Sequence, residues 1–209
     1  MKLYLSSLGI GNSKGELRKW ISQHGNKIAL IPDALDMKKN RDQIVEDIDE
    51  LEDFGFDVNL VSLQKYIGNN DNLKKDLEEY NAFFAIGGNV FRLRKAMQLS
   101  GFDKYLTEIS KKDDYLYGGY SAGICVLAKK LDIYKMVDPP INSFDNSPVE
   151  FEGIGLLDYL PMPHYKSYFP VGKAIDKLVD YCNRNGRKFR VLRDGESWVE
   201  DTLEKGYER

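Results

Sequence analysis

The sequence predicts an α/β protein, a three-layer sandwich in which helices cover both faces of a mostly parallel central sheet. Three observations lead there. Short apolar runs alternate with amphipathic segments along the chain, the order that strand–helix–strand crossovers write into a sequence. Two of those runs, KIALI at 27–31 and AFFAI at 82–86, are apolar almost throughout, as strands covered on both faces are. Two glycine-bearing turns, Gly87-Gly88-Asn89 and Gly118 to Gly123, each follow a strand and open a helix, and open parallel sheets bind ligands at such turns.

In chain order, Lys2–Leu5 reads as the first strand and Lys14–Ser22 as a helix closed by His24-Gly25, with the glycine past its end. Lys27–Ile31 is a strand. Lys38–Phe54 is a long helix with Ile44, Ile48 and Leu51 on one face. Asp57–Leu63 alternates as a strand and Asn72–Tyr80 is a short charged helix. Ala82–Ile86 is a buried strand, and helices follow over Val90–Ser100 and Lys104–Lys111. Tyr115–Gly118 is a strand running into Ser121. Residues 131–160 carry Pro139, Pro140 and Pro148 and read as a long functional loop with short strands. A helix over Pro170–Asn185 and strands over Lys188–Leu192 and Ser197–Glu200 complete the pattern. No repeat, linker or low-complexity tract interrupts it, so one domain over residues 1–209 is expected.

Composition narrows the function classes. The 209 residues are 42% hydrophobic and 30% charged, and a chain of this length buries roughly 70% of its unfolded surface. A net charge of −3 with both signs mixed offers no basic stripe for a phosphate backbone, so nucleic acid is not an expected partner. No apolar run approaches the ~18 residues that span a bilayer. The opening MKLYLSSLGIGNSKG lacks a long apolar region, and a soluble cytoplasmic protein without a membrane partner is expected. Cys125 and Cys182 stand far apart, which suggests buried free thiols rather than a disulfide framework or zinc site. Only His24 and His164 are available to any metal site or histidine-dependent triad.

The strongest local signal is Gly118-Gly119-Tyr120-Ser121-Ala122-Gly123, set between YLYG and the apolar run ICVLA. A serine flanked two residues away on each side by glycine, at a strand-to-helix turn, is what a nucleophile elbow needs: side chains at 119 and 123 would clash, and the hydroxyl is pushed out over the sheet edge. The same turn aims the Ala122 N–H toward a developing oxyanion. After AFFAI, Gly88 is the second candidate donor, with Asn89 and Tyr120 as candidate substrate-binding neighbours. His164 stands in Leu160-Pro161-Met162-Pro163-His164-Tyr165, where the prolines make the approach extended and rigid. His24, at a helix end, complements the helix dipole there, which leaves His164 as the base for Ser121. The acid that orients the imidazole could be Asp194, Glu196, Asp138 or Asp145.

A strand followed by GGN, the GGYSAG elbow, a Pro-His segment some forty residues on and an acid-glycine pair near the end together resemble peptidase E, the aspartyl dipeptidase family S51. The likeness runs from the first strand to about Val199. It implies a class I glutamine amidotransferase-like, flavodoxin-like fold and a serine-type peptidase with no cofactor, acting on small peptides. It maps the nucleophile onto Ser121, the base onto His164 and the oxyanion donors onto Gly88 and Ala122. The third member, a glutamate in the family, falls on Asp194, whose arm is shorter, with Glu196 as the alternative. The amidotransferase branch is disfavoured, because its elbow carries cysteine where this chain has Ser121. The resemblance also implies an arginine soon after the histidine to fork the substrate's aspartate. Residues 165–181 instead supply Lys166, Lys173 and Lys177, and a lysine is a point charge rather than an equivalent clamp. Lys166 is the candidate substrate-binding cation. A homodimer is a further expectation.

Two other classes compete. A non-catalytic or non-peptidase relative could hold a small anion at the elbow. Leu8-Gly9-Ile10-Gly11-Asn12-Ser13-Lys14-Gly15 hints at a nucleotide site, but it lacks both the third glycine of the dinucleotide motif and the GK[ST] of a P-loop.

Overall fold

The strands that lie deepest are those the sequence makes apolar throughout. In the computed structural model, which describes residues 1–203, β1 (Lys2–Ser6), β2 (Lys27–Ile31), β3 (Asp57–Leu60), β4 (Ala82–Ala85), β5 (Leu116–Tyr120) and β8 (Ser197–Asp201) form one sheet in the order β3-β2-β4-β5-β1-β8. Every residue of β4 and β5 is buried. All pairings are parallel except that of β8 with β1. In this register Ala85 stands opposite Gly119, and Tyr120 opposite Ser6. The carboxyl ends of β4, β5 and β1 therefore lie side by side, and the turns that leave them converge.

Helices cover both faces. Leu17 and Trp20 of α1 (Lys14–His24) and Ile44 and Leu51 of α2 (Arg41–Phe54) pack with Tyr4, Ile28, Leu30, Phe84 and Tyr120. His24 stacks on Trp20 with ring centroids 3.9 Å apart. The other face carries α3 (Asn70–Leu77), α4 (Val90–Ser100), α5 (Phe102–Ile109) and α7 (Pro170–Arg184), with Phe91, Leu93, Phe102, Leu106, Ile175 and Leu178 fully or almost fully buried. Burying one such side chain contributes about 2 kcal/mol. Among the described residues no helix is long and apolar enough to cross a membrane.

Three segments depart from the sequence reading. The strand expected over Asp57–Leu63 stops at Leu60, and Leu63–Tyr66 turns into a 3₁₀ helix. The cause is Asp33, fully buried, whose carboxylate accepts hydrogen bonds from the Leu63 and Gln64 amides at 2.8 and 3.3 Å and from the Ser62 hydroxyl at 3.2 Å. The short helix sits at Asn70–Leu77 rather than at 72–80. Residues 131–160 hold a 3₁₀ turn at Asp132–Met136 and two isolated bridges, Ala128 with Leu157 and Lys130 with Glu152, instead of short strands. That segment is laced across α4. The buried Arg94 donates to the Glu152 carbonyl at 2.7 Å, and the buried Lys95 to the Pro148 carbonyl at 3.2 Å.

A separate two-stranded ribbon brings the second half of the site into place. β6 (Leu160–Met162) pairs in parallel with β7 (Phe189–Val191). Beyond it the Leu192 amide bonds to the Met162 carbonyl and the Tyr165 amide to the Leu192 carbonyl, both at 2.9 Å. His164 stands two residues past the end of β6, and Asp194 three residues past the end of β7.

Candidate active site

Ser121 links β5 to α6 (Ala122–Cys125) with φ 52° and ψ −116°, a backbone conformation that costs a non-glycine residue on the order of 1–3 kcal/mol. The packing around it explains why the neighbours are glycine. A Cβ at Gly119 would lie 2.6 Å from the Ala85 carbonyl oxygen, and one at Gly123 only 2.0 Å from it. The Ser121 side chain does not cap the helix it precedes, so the alternative of a serine N-cap is not what this turn is built for. A Cβ at Gly87 would be 3.2 Å from that of Ser121, which places the glycine turn after β4 directly beside the serine.

In that turn Gly88 has φ 140°, and a Cβ there would lie 2.5 Å from the Ala34 carbonyl oxygen. The same carbonyl accepts from the Asn89 amide at 2.9 Å. Among the described residues neither the Gly88 nor the Ala122 N–H has an acceptor within the protein. Two backbone donors are thus left open beside the Ser121 hydroxyl.

His164 occupies a left-handed turn with φ 60° and is almost completely buried. Its Nδ1 lies 2.7 Å from Asp194 Oδ1, which orients the ring so that Nε2 is the nitrogen left for a reacting group. The His164 amide donates to Ser7 Oγ at 2.8 Å, and that hydroxyl donates to Asp194 Oδ1 at 2.9 Å. Ser167 Oγ donates to Asp194 Oδ2 at 2.5 Å. Burial by itself would raise the Asp194 carboxyl, but the hydrogen bonds from Ser167, His164 and Ser7 outweigh it and hold the group below its usual value. Ser7 is the next residue after Ser6, the register partner of Tyr120, so the His–Asp pair is tethered to the strand end beside the elbow. Sequence reasoning missed both serines. Ser167 had a signal, its place in the same turn as His164. Ser7 had none beyond standing one residue past a strand.

The three rival acids stand elsewhere. Glu196 Oε2 accepts from the Arg193 amide at 2.7 Å and ties its own turn. Asp145 is engaged by Asn142 and Ser147 in an exposed loop. Asp138 accepts from the Val90 amide at 2.9 Å, at the start of α4. Burial raises its carboxyl, while the Val90 amide and the charge of His164 oppose the rise. Asp138 is therefore a neighbour of the site, although no hydrogen bond joins it to the imidazole among the described residues.

The three expected substrate-binding side chains fare differently. Asn89 Oδ1 caps α4 by accepting from the Phe91 and Arg92 amides, both at 3.0 Å, and its Nδ2 donates to the Pro139 carbonyl at 2.8 Å. The Tyr120 ring is buried and its hydroxyl bonds to Asp47. Both side chains support the site from beneath. Lys166, at φ 55°, is exposed with its ammonium over the Tyr165 ring, and Lys173 and Lys177 are also exposed. Cys125, one turn past Ser121, is buried with its thiol against the Pro161 carbonyl, and burial pushes its pKa far above the usual thiol range, which keeps it protonated. The loop over residues 8–13 is sewn to β8: the Ser13 amide bonds to Ser197 Oγ at 2.8 Å, and Asn12 Oδ1 accepts from the Ser197 amide at 2.9 Å. Its polar groups serve the sheet edge rather than a phosphate.

A strained serine at the carboxyl edge of a parallel sheet, two open amides and an anchored His–Asp pair can together carry out acyl transfer. The comparisons with known proteins agree in class. The model of Peptidase family S51 matches residues 10–199, and the chain belongs to that family of peptidases. Among solved structures, a protein of Listeria monocytogenes EGD-e assigned as peptidase E superposes with a TM-score of 0.72 at 20% identity, covering 96% of this chain and 98% of that one. A peptidase from an acI-B1 Actinobacterium superposes with a TM-score of 0.63 at 13% identity, covering 95% of this chain and 82% of its own. At these identities the likeness concerns the fold. No curated protein matches the sequence.

Proposed function

We propose that the chain is a serine-type peptidase that hydrolyses short peptides through an acyl-enzyme on Ser121. The observation that carries the reading is the Ser121 turn, a backbone strained at one hydroxyl beside the unpaired amides of Gly88 and Ala122. In this mechanism His164 takes the Ser121 proton as the oxygen attacks the scissile carbonyl, and then gives it to the leaving amine. The Gly88 and Ala122 amides hold the oxyanion. Asp194 fixes the imidazole tautomer and stabilises the imidazolium. Water then repeats the sequence on the ester and frees the serine. The exposed Lys166 ammonium stands two residues past His164 and is the cation we assign to an acidic N-terminal side chain, which favours Asp-X dipeptides.

A panel of unblocked dipeptide amides, Asp-X beside Glu-X, Ala-X and Leu-X, tests this with wild type and Ser121→Ala. Wild type is expected to cleave Asp-X fastest and Ser121→Ala to cleave none. Cleavage of another class with the same serine dependence would keep the chemistry and remove the role given to Lys166. No cleavage of any member would contradict the peptidase reading for this panel's substrate class.

A further inference from the structure

Tyr120 immediately precedes Ser121, yet its side chain points to the opposite face of the sheet from α6, among the residues packed under α1 and α2. Its hydroxyl donates to Asp47 of α2, lying 2.9 Å from each carboxylate oxygen, and accepts from Gln43 Nε2 at 3.3 Å. Its ring fills the space beside Gly87, where a Cβ would lie 2.5 Å from a ring carbon. One side chain therefore touches both halves of the site: it leads into the nucleophile turn and supports the turn that carries Gly88. Its hydroxyl is anchored on the polar face of α2, and the Gly87 backbone also interacts with it.

We propose that Asp47, acting through Tyr120, is a positioning residue that holds the Ser121 turn and the Gly87-Gly88 turn in register for acyl transfer. The proposal rests on Ser121 being the nucleophile. A charged carboxylate is a stronger acceptor for a phenol than a neutral carboxyl group, so the anchor is tight when Asp47 is ionised and slack when it is protonated. Burial raises the Asp47 carboxyl to about 7; the Tyr120 hydrogen bond opposes the rise, and Glu50 and Glu46 add to it. Those two glutamates and Tyr120 are the titratable groups facing it. Across a cavity of about 460 Å³, the wall opposite α2 consists of Leu8, Gly9, Gly11 and Gly195 and carries no charge. The cavity gives protons a route to the carboxylate. Loss of registry by a fraction of an ångström between nucleophile and oxyanion donors is enough to slow acyl transfer by one to two orders of magnitude.

The test is the rate of Ser121 labelling by a fluorophosphonate from pH 5.5 to 8.5, resolved into probe binding and the bond-forming rate. For wild type the bond-forming rate is expected to lose a component centred near pH 7 as the pH falls. In Asp47→Asn the acceptor is neutral at every pH, so that component disappears and the rate at pH 8 falls by the size of that component. Tyr120→Phe, which keeps the ring, is expected to lower the bond-forming rate roughly 10- to 100-fold with probe binding unchanged. Tyr120→Phe combined with Asp47→Asn should be no slower than Tyr120→Phe alone. A Tyr120→Phe rate within twofold of wild type, or an Asp47→Asn pH profile that superimposes on that of wild type, would overturn the proposal and leave the nucleophile untouched. Absence of labelling in wild type would remove the nucleophile and the proposal with it.

Discussion

Ser121→Ala is expected to lower kcat/KM by on the order of 10⁴-fold or more while leaving the melting temperature near that of wild type. Alanine removes the hydroxyl but keeps the Cβ, and with it the strain of φ 52° and ψ −116°. Ser121→Gly separates the two. Glycine takes up that backbone conformation readily, so the variant should be as inactive as Ser121→Ala yet more stable than either by about 1 kcal/mol, the relief of strain less the entropy of an added glycine. Thermal unfolding beside dipeptide turnover checks both halves. A Ser121→Gly protein no more stable than Ser121→Ala would mean that the turn stores nothing for the serine.

The second large effect belongs to Asp194. Asp194→Asn is expected to lower kcat by on the order of 10³–10⁴-fold with little change in KM, because an amide facing Nδ1 no longer enforces the tautomer that leaves Nε2 free to take a proton. The same substitution has a signature in stability. The folded-state Asp194 carboxyl lies below its usual value, so its contribution is fully present above the unfolded-state value of about pH 4 and is lost as pH falls through the lower folded value. The stability gap between wild type and Asp194→Asn should therefore be constant at neutral pH and close on acidification below about pH 4. Melting temperatures from pH 3 to 8 measure it. A gap unchanged at pH 3 would show that Asp194 gains nothing from its Ser7, Ser167 and His164 bonds.

Much of this site lies in the order of the residues. The continuous apolar character of KIALI and AFFAI gave the parallel sheet, since β2 is buried from Ile28 to Ile31 and β4 throughout, with no face to expose to water. The glycines at 119 and 123 gave the turn at Ser121, because the Ala85 carbonyl leaves no room for a side chain at either position. What escaped was set by contacts distant in sequence. The early end of β3 comes from Asp33, some thirty residues before the amides it holds. The pairing of His164 with Asp194 rather than with Asp138, Asp145 or Glu196 comes from the parallel ribbon of β6 and β7, and a three-residue strand containing Pro161 carries little local signal. Asp194 needs no glutamate-length arm here, because the ribbon and the hydroxyls of Ser7 and Ser167 bring its carboxylate within 2.7 Å of the ring. Asn89 and Tyr120 looked like substrate contacts because they flank the turns, but only the packing reveals that their polar atoms face helix α4 and Asp47.

The most direct test of Ser121 as the nucleophile is intact-mass analysis after incubation with a fluorophosphonate, followed by peptide mapping. A single adduct on Ser121 is expected in wild type, with strongly slowed labelling in His164→Ala and none in Ser121→Ala. An unlabelled wild type, an adduct on another residue, or labelling of Ser121 that proceeds equally well without His164 would contradict it.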